Sequence, residues 1–246
     1  MRALLLEETG KPMLVKEVAD PALTPDGVII KVEANGICRS DWHGWIGDSA
    51  GIKLPFVLGH EFTGVIEEVG KNVKQLKKGD RVIAPVIQGD NSCPYCMSGH
   101  QNLCDNRLTP GMNYWGGYAQ YVHVPNAEGN LVILPESMDF VSAASLGCRF
   151  VTAYHGLIDQ VKVRAGEWVA VYGCGGVGLS AIQIASSIGA NVIAVDIGED
   201  KLKMAKELGA MATVNSSLDH PVEAIMEITK GGSDVSVDAL GITATC

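Results

Sequence analysis

The sequence predicts an α/β protein in two parts: a β-rich first part over residues 1–150, then a doubly wound parallel sheet over residues 151–246. Three observations carry this. Trp168 to Asp196 reads as strand, glycine-rich turn, helix and strand in succession. The chain after Asp196 keeps alternating short apolar runs with helical patterns, as βα units do. Over residues 1 to about 35, by contrast, short apolar runs alternate with turn signals such as Thr9-Gly10-Lys11-Pro12 and Pro25-Asp26-Gly27, which is the pattern of strands in a β-rich domain.

The second part is organised around Val169–Asp196. Gly173, Gly175 and Gly178 are spaced G-x-G-x-x-G between the apolar run Trp168–Tyr172 and a helical pattern that runs through Ile188 and stops at Gly189. A second apolar run, Asn191–Val195, ends at Asp196, 18 residues past Gly178. Each part suits a dinucleotide. Gly173 permits the tight turn, Gly175 lets a pyrophosphate approach the backbone, and Gly178 lets the helix pack against the strand. The N–H groups of Gly176 and Val177 and the positive helix end then face the phosphates. A carboxylate at Asp196 reaches the ribose hydroxyls and repels a 2′-phosphate, favouring NAD over NADP. The whole is a Rossmann-type unit. No charged residue falls between Glu167 and Asp196, but the glycines, Gln183 and Asn191 argue against a membrane span; parallel strands buried on both faces also read as apolar runs. Beyond Asp196, Lys201–Leu208 reads as a helix, Ala212–Val214 as a strand, Val222–Thr229 as a helix and Val235–Leu240 as a fourth strand.

Composition bounds the function. The chain has 246 residues, 47% hydrophobic and 19% charged, enough for a sizeable core and two domains. Its net charge of −9, without a basic block, argues against a nucleic-acid partner. The N-terminal apolar stretch is too short for a signal peptide. Seven cysteines without an export signal point to a reducing, cytoplasmic setting, where clustered cysteines more often bind metal than form disulfides.

In the first part, the apolar runs Arg2–Leu6 and Val28–Val32 read as strands, residues 65–87 continue the β pattern, and residues 114–124 read as a further strand pair. Gly36-Ile37 leads into Cys38-Arg39-Ser40-Asp41-Trp42-His43, and the His60-Glu61 pair, preceded by Gly59, comes 22 residues after Cys38. Cys93, Cys96 and Cys104 have the spacing C-x2-C-x7-C, with Asp90 three residues ahead of Cys93. Leu146-Gly147-Cys148 precedes the glycine-rich turn, within a helical pattern over Pro135 to about Ile158.

In this order the motifs resemble those of the zinc-dependent medium-chain alcohol dehydrogenases, over essentially the whole chain. The resemblance implies a GroES-like first domain and a Rossmann-type second domain. It implies a catalytic zinc held by Cys38, His60 and Cys148, with Glu61 close behind it as a transient ligand. Ser40 would take the proton of the alcohol and His43 would pass it toward solvent. Arg39 would contact the pyrophosphate, and Lys201 would lie near the adenosine ribose. Cys93, Cys96 and Cys104 resemble the structural-zinc lobe, in which the family normally carries a fourth cysteine where Asp90 stands; a carboxylate also binds zinc. His100 is a less favoured substitute ligand, and Trp42, Trp45 and Phe150 are candidates for lining a pocket.

The implied activity is NAD-dependent oxidation of a primary or secondary alcohol to an aldehyde or ketone, reversibly. Zinc would hold the alcohol oxygen and lower its pKa as a Lewis acid, and hydride would pass to the nicotinamide. The alternatives are a polyol, sugar or amino-alcohol dehydrogenase of the same superfamily, and an inactive zinc- and NAD-binding fragment. The last has a specific motive. A complete fold of this type has about six strands, and four are legible, so the chain is expected to be an N-terminal fragment. The full-length form is expected to be a homo-oligomer, a dimer or tetramer, without membrane or nucleic-acid partners.

Overall fold

In a computed structural model, every residue is described except Ala50, Ala244 and Cys246. The chain forms two compact units, Met1–Cys148 and Arg149–Cys246.

The first unit is built on a five-stranded antiparallel sheet. Its strands are β3 (Val28–Gly36), β4 (Glu61–Val69), β5 (Arg81–Ile83), β6 (Tyr121–Val124) and β7 (Val132–Ile133), in the order β6-β3-β4-β5-β7. A separate antiparallel pair joins β1 (Arg2–Leu5) to β2 (Leu14–Glu17). Val28, Ile30, Phe62, Ile66, Val82, Val122 and Val124 point to one face and form the main core with Val73, Leu76 and Leu131. That alternation gives each strand one apolar face. β3 and β4 pair along their whole length, with register shifts at Ile29/Ile30 and Val32/Ala34 that end with Gly36 opposite Glu61. The helix α1 (Arg39–Ile46) starts immediately after β3, and α2 (Pro94–Met97) and α3 (Phe140–Ala144) follow later in the unit.

Residues 114–124 were expected to give two strands, but only β6 forms. The stretch before it instead makes local links, with Gly116, Gly117 and Tyr118 donating to Val57, Gly59 and Leu58. Gly116 and Gly117 fit there because an added Cβ would meet Gly59 O at 2.0 Å and Asn35 Oδ1 at 2.4 Å.

The second unit is a parallel sheet of β8 (Trp168–Tyr172), β9 (Asn191–Asp196), β10 (Ala212–Asn215) and β11 (Val235–Asp238), in the order β10-β9-β8-β11. Helix α4 (Val151–Tyr154) precedes it, and α5 (Gly176–Ser187), α6 (Glu199–Glu207) and α7 (Pro221–Thr229) make the crossovers. Both faces are covered. Val169, Val171, Val192 and Ala194 pack with Ala181, Ala185, Leu202 and Ala205 of α5 and α6. Ala170, Ile193 and Val195 pack on the other side with Val214 and Ile225. This double coverage explains why β8 and β9 read as continuous apolar runs. The helical pattern over Pro135–Ile158 is broken up: Leu146–Phe150 and His155–Val161 are π-helical, on either side of α4.

Trp45 and Phe150 belong to packed interiors. Trp45 joins Leu6, Phe56 and Leu58, with its indole N–H on the Lys11 carbonyl at 2.6 Å; Phe150 packs on the Val169–Ala185 core.

Candidate metal and dinucleotide sites

Among the described residues, two groups of side chains bring metal-ligating atoms within 4.8 Å of one another: Cys38, His60, Glu61 and Cys148, and Asp90, Cys93, Cys96 and Cys104.

The first group forms where β3 ends and β4 begins. Cys38 precedes α1, and its N–H donates to Asp41 Oδ2 at 2.9 Å, which fixes the entry to the helix. His60 and Glu61 lie at the start of β4, fully buried. Gly36 faces Glu61 in register, and a Cβ at Gly36 would lie 2.3 Å from Glu61 Oε2, so glycine leaves the space the carboxylate occupies. Cys148 is brought in by the segment before it. Val86 N–H donates to Gly147 O at 2.8 Å, and a Cβ on Gly147 would meet Ala84 O at 2.9 Å.

Asp41 organises this group, although the sequence reading gave it no role. Oδ1 accepts from Gly59 N–H at 3.1 Å and faces His60 Nδ1 at 3.0 Å, while the Tyr118 hydroxyl donates to Oδ2 at 3.0 Å. With Nδ1–H held by a carboxylate, the lone pair of a neutral His60 sits on Nε2, the pattern seen where histidine binds a metal. His60 Nε2 is buried and has no hydrogen-bond partner.

Before metal binds, the charges favour a thiolate beside a protonated imidazole, and a metal entering the group would displace that imidazole proton. The Cys38 thiol is brought down to about 3, first by its contact with Cys148 and then by His60 and the Ser40 backbone, against the effect of burial. Burial opposes charge on His60, but the Asp41 carboxylate and Cys38 outweigh it and raise His60 to about 9. Two sulfurs, an imidazole and a carboxylate suit zinc, whose ligands sit about 2.0–2.3 Å from the metal. The orphaned buried nitrogen gives the fit a structural test beyond the donor types.

Ser40 Oγ lies 3.9 Å from Cys38 Sγ. His43 lies one helical turn beyond Ser40, on the same side of α1, and its Nδ1 is 3.2 Å from Asp48 Oδ2 at the half-exposed end of the helix. Arg39 is exposed, with its guanidinium 4.1 Å above the Trp42 ring.

The second group is a short lobe. The Cys93 sulfur accepts from Cys96 N–H and the Cys104 sulfur from Asp90 N–H, each at 3.4 Å. Asp90 Oδ1 accepts from the Ser92 and Cys93 N–H groups, both at 2.9 Å, and Oδ2 from the Asn106 amide at 2.8 Å. These bonds, Asn106 foremost, hold its carboxyl well below the usual range. The Cys96 N–H lowers Cys93, while burial raises Cys96 to about 11. His100 stands outside the group, bonded to Ser98 Oγ at 3.1 Å.

In the second unit, the glycine turn lies at the end of β8, where the strand order reverses between β9 and β11. Such a reversal opens a crevice at the strand ends. Gly173 has φ +93, which an L side chain rarely adopts. A Cβ on Gly178 would lie 1.8 Å from Gly173 O, whereas one on Gly175 would meet nothing within 4 Å. Gly175 is thus free of packing demands, and its open side is a cradle that a side chain would fill. It also N-caps α5 without a side-chain acceptor. Asp196 is folded inward rather than presented at the strand tip. Oδ2 accepts from Cys174 N–H at 2.7 Å and Oδ1 from Ile197 and Gly198 N–H at 2.8 and 2.9 Å, with Lys201 Nζ at 3.6 Å. Oδ2, with a single donor, keeps further acceptor capacity. Burial works against the charge, and these N–H groups and Lys201 hold the carboxyl below its ordinary value.

This arrangement, with a cysteine–histidine cluster in a β-rich unit and a glycine turn at a parallel-sheet crevice, defines a class: a metal-dependent, dinucleotide-type dehydrogenase scaffold. Two family models match the chain, the alcohol dehydrogenase GroES-like domain over residues 24–136 and the zinc-binding dehydrogenase over residues 176–246. The chain belongs to the zinc-binding alcohol dehydrogenase family. It is 40% identical to an alcohol dehydrogenase of Geobacillus stearothermophilus, covering 99% of this chain and 72% of the relative. It is 39% identical to the NAD-dependent alcohol dehydrogenase of Sulfurisphaera tokodaii, covering 97% and 71%. The solved structure of alcohol dehydrogenase TADH from Thermus sp. ATN1 superimposes with a TM-score of 0.93 at 36% identity, over 100% of this chain and 72% of that one. No helix among the described residues is long and apolar enough to cross a membrane.

Proposed function

We propose that this chain carries the machinery for NAD-dependent, reversible oxidation of a primary or secondary alcohol to an aldehyde or ketone. Cys38, His60 and Cys148 would hold a catalytic zinc with Glu61 behind them. Asp90, Cys93, Cys96 and Cys104 would hold a structural one. Zinc supplies Lewis-acid polarisation of an oxygen and NAD supplies the hydride acceptor. The observation that carries the reading is the buried, unpartnered Nε2 of His60 among two sulfurs and a carboxylate.

The chain's own residues then have separate tasks. Asp41 holds the His60 ring by Nδ1. Ser40 Oγ takes the proton of the alcohol hydroxyl, and His43, a turn further along α1, passes it to solvent. In the second unit, Gly173, Gly175 and Gly178 shape the turn, and the N–H groups of Gly176 and Val177 take the pyrophosphate. Asp196 disfavours a 2′-phosphate by its charge, Lys201 lies at the ribose side, and Arg39 adds a positive charge for the phosphates.

The test is NADH formation by the purified chain with NAD and a panel of short alcohols, polyols and amino alcohols, alongside zinc analysis. Cys38→Ser is expected to lose the catalytic zinc and turnover together. Full turnover in that variant without bound metal would sink the mechanism. Zinc and NAD binding with no turnover on any substrate would leave these residues a binding role alone.

A further inference from the structure

Asn130 lies outside every motif named from the sequence, yet its side chain is buried against the cysteine lobe. Its Oδ1 accepts from the Gly89 N–H and its Nδ2 donates to the Gly89 carbonyl, both at 2.9 Å. The same Nδ2 donates to the Asn126 carbonyl at 2.9 Å. One orientation of the amide serves all three partners, because two carbonyls need the nitrogen and the N–H needs the oxygen. The side chain thus pairs with Gly89 as a neighbouring strand would, through both backbone groups of one residue.

Gly89 precedes Asp90, and the Gly89 carbonyl shares a peptide with the Asp90 N–H. That peptide is trans, so the two groups point in opposite directions. With the carbonyl held by Asn130, the N–H is turned to Cys104 Sγ at 3.4 Å. An N–H facing a sulfur favours the thiolate that a metal needs, whereas a rotated peptide would aim a carbonyl oxygen at it. Two further contacts hold the segment. A Cβ at Gly89 would lie 2.5 Å from Cys96 Sγ, so the glycine sits directly on a second sulfur. Beyond Asp90, the Asn91 amide donates to the same Asn126 carbonyl at 3.2 Å, and its Oδ1 fills the space that a Gly129 side chain would take. Asp90 is pinned on both flanks while its carboxylate lies within 4.8 Å of the three sulfurs.

We propose that Asn130 is a positioning residue of the cysteine lobe: by gripping Gly89 it fixes the peptide that serves Cys104 and sets Asp90 as the fourth ligand. This rests on the reading of the lobe as a metal site and adds to it a residue that contributes no ligand atom.

The test is zinc counting and chelator competition on the full chain and on Asn130→Asp and Asn130→Ala, repeated in the Cys38→Ser background so that the lobe's zinc is followed alone. Asn130→Asp keeps the shape and the oxygen for the Gly89 N–H, but sets a second oxygen against two carbonyls. It is expected to weaken the lobe's zinc about 10–100-fold, the range typical of outer partners, while the zinc at Cys38 is kept. Asn130→Ala only removes the grip and covers the case in which the aspartate variant does not fold; it should weaken the same zinc. With cobalt in the lobe, the visible bands should shift in either variant, since they report the geometry of the four ligands. A merely structural residue would lower the melting temperature of metal-free and zinc-loaded chain alike, with affinity and bands unchanged. That result would overturn the assignment, as would equal weakening at both zinc sites. A lobe that takes no zinc in the unmodified chain would instead overturn the metal reading and this assignment with it.

Discussion

Asp41 ties four donors to one buried carboxylate: the Cys38 and Gly59 N–H groups, His60 Nδ1–H and the Tyr118 hydroxyl. Outer partners of this kind typically hold a factor of about 10–100 in metal affinity. Asp41→Ala should weaken zinc by that order in a chelator competition, and Asp41→Asn by less, because one acceptor oxygen remains. The same residue carries a pH signature. Burial would raise its carboxyl, but His60 and the backbone donors lower it below 3.8. A depressed folded value means that the contribution is present above the unfolded pKa and lost as pH falls through the folded one. In metal-free protein, the stability gap between the wild type and Asp41→Asn, about 1–3 kcal/mol at neutral pH, should therefore close as pH drops below about 4; urea unfolding across that range measures it. Asp41 was open to discovery in the sequence, since Cys38-x-x-Asp41 has capping-box spacing. Tyr118 was not, because its hydroxyl reaches Asp41 only through the fold.

At the scale of elements, the glycine turn separates packing from ligand access. Gly178→Ala places a methyl 1.8 Å from Gly173 O and should cost about 1–3 kcal/mol or more in denaturant unfolding. Gly175→Ala meets no neighbour and should leave stability nearly unchanged while weakening ADP-ribose. Equal stability losses in the two variants would refute this division. The turn, β8, β9 and α5 were legible because buried parallel strands and glycine spacing are local signals. The cysteine lobe was legible as spacing with Asp90 three residues ahead of Cys93, and the structure adds that Asp90 also accepts from the Ser92 and Cys93 N–H groups. Less legible were β2 and β7, four and two residues long, which exist through pairing with β1 and β5 rather than through their own pattern. The π-helical turns around α4 are equally hidden, since a one-residue excess leaves the apolar spacing helical. The second strand expected before β6 failed for a related reason: Gly116 and Gly117 serve close approach to residues 57–59 and not a ladder.

For the whole molecule, two compact units with different ligand chemistry should respond separately. Chelation of zinc is expected to lower the unfolding transition of Met1–Cys148, while NAD raises that of Arg149–Cys246 by mass action. Calorimetry with each treatment alone checks this, and equal displacement of both transitions by either ligand would contradict it. The strand order of the second unit has a further consequence during synthesis. β8 is flanked by β9 on one side and by β11 on the other, and β11 begins about 60 residues after β8 ends. At roughly 5–20 residues per second, a ribosome needs about 3–12 seconds to deliver that last neighbour. Until β9 is complete neither flank of the central strand is paired, and from then until β11 arrives only one is, with the remaining backbone donors and acceptors open to capture. The newborn chain is therefore most in need of a chaperone between the emergence of Tyr172 and that of Val235.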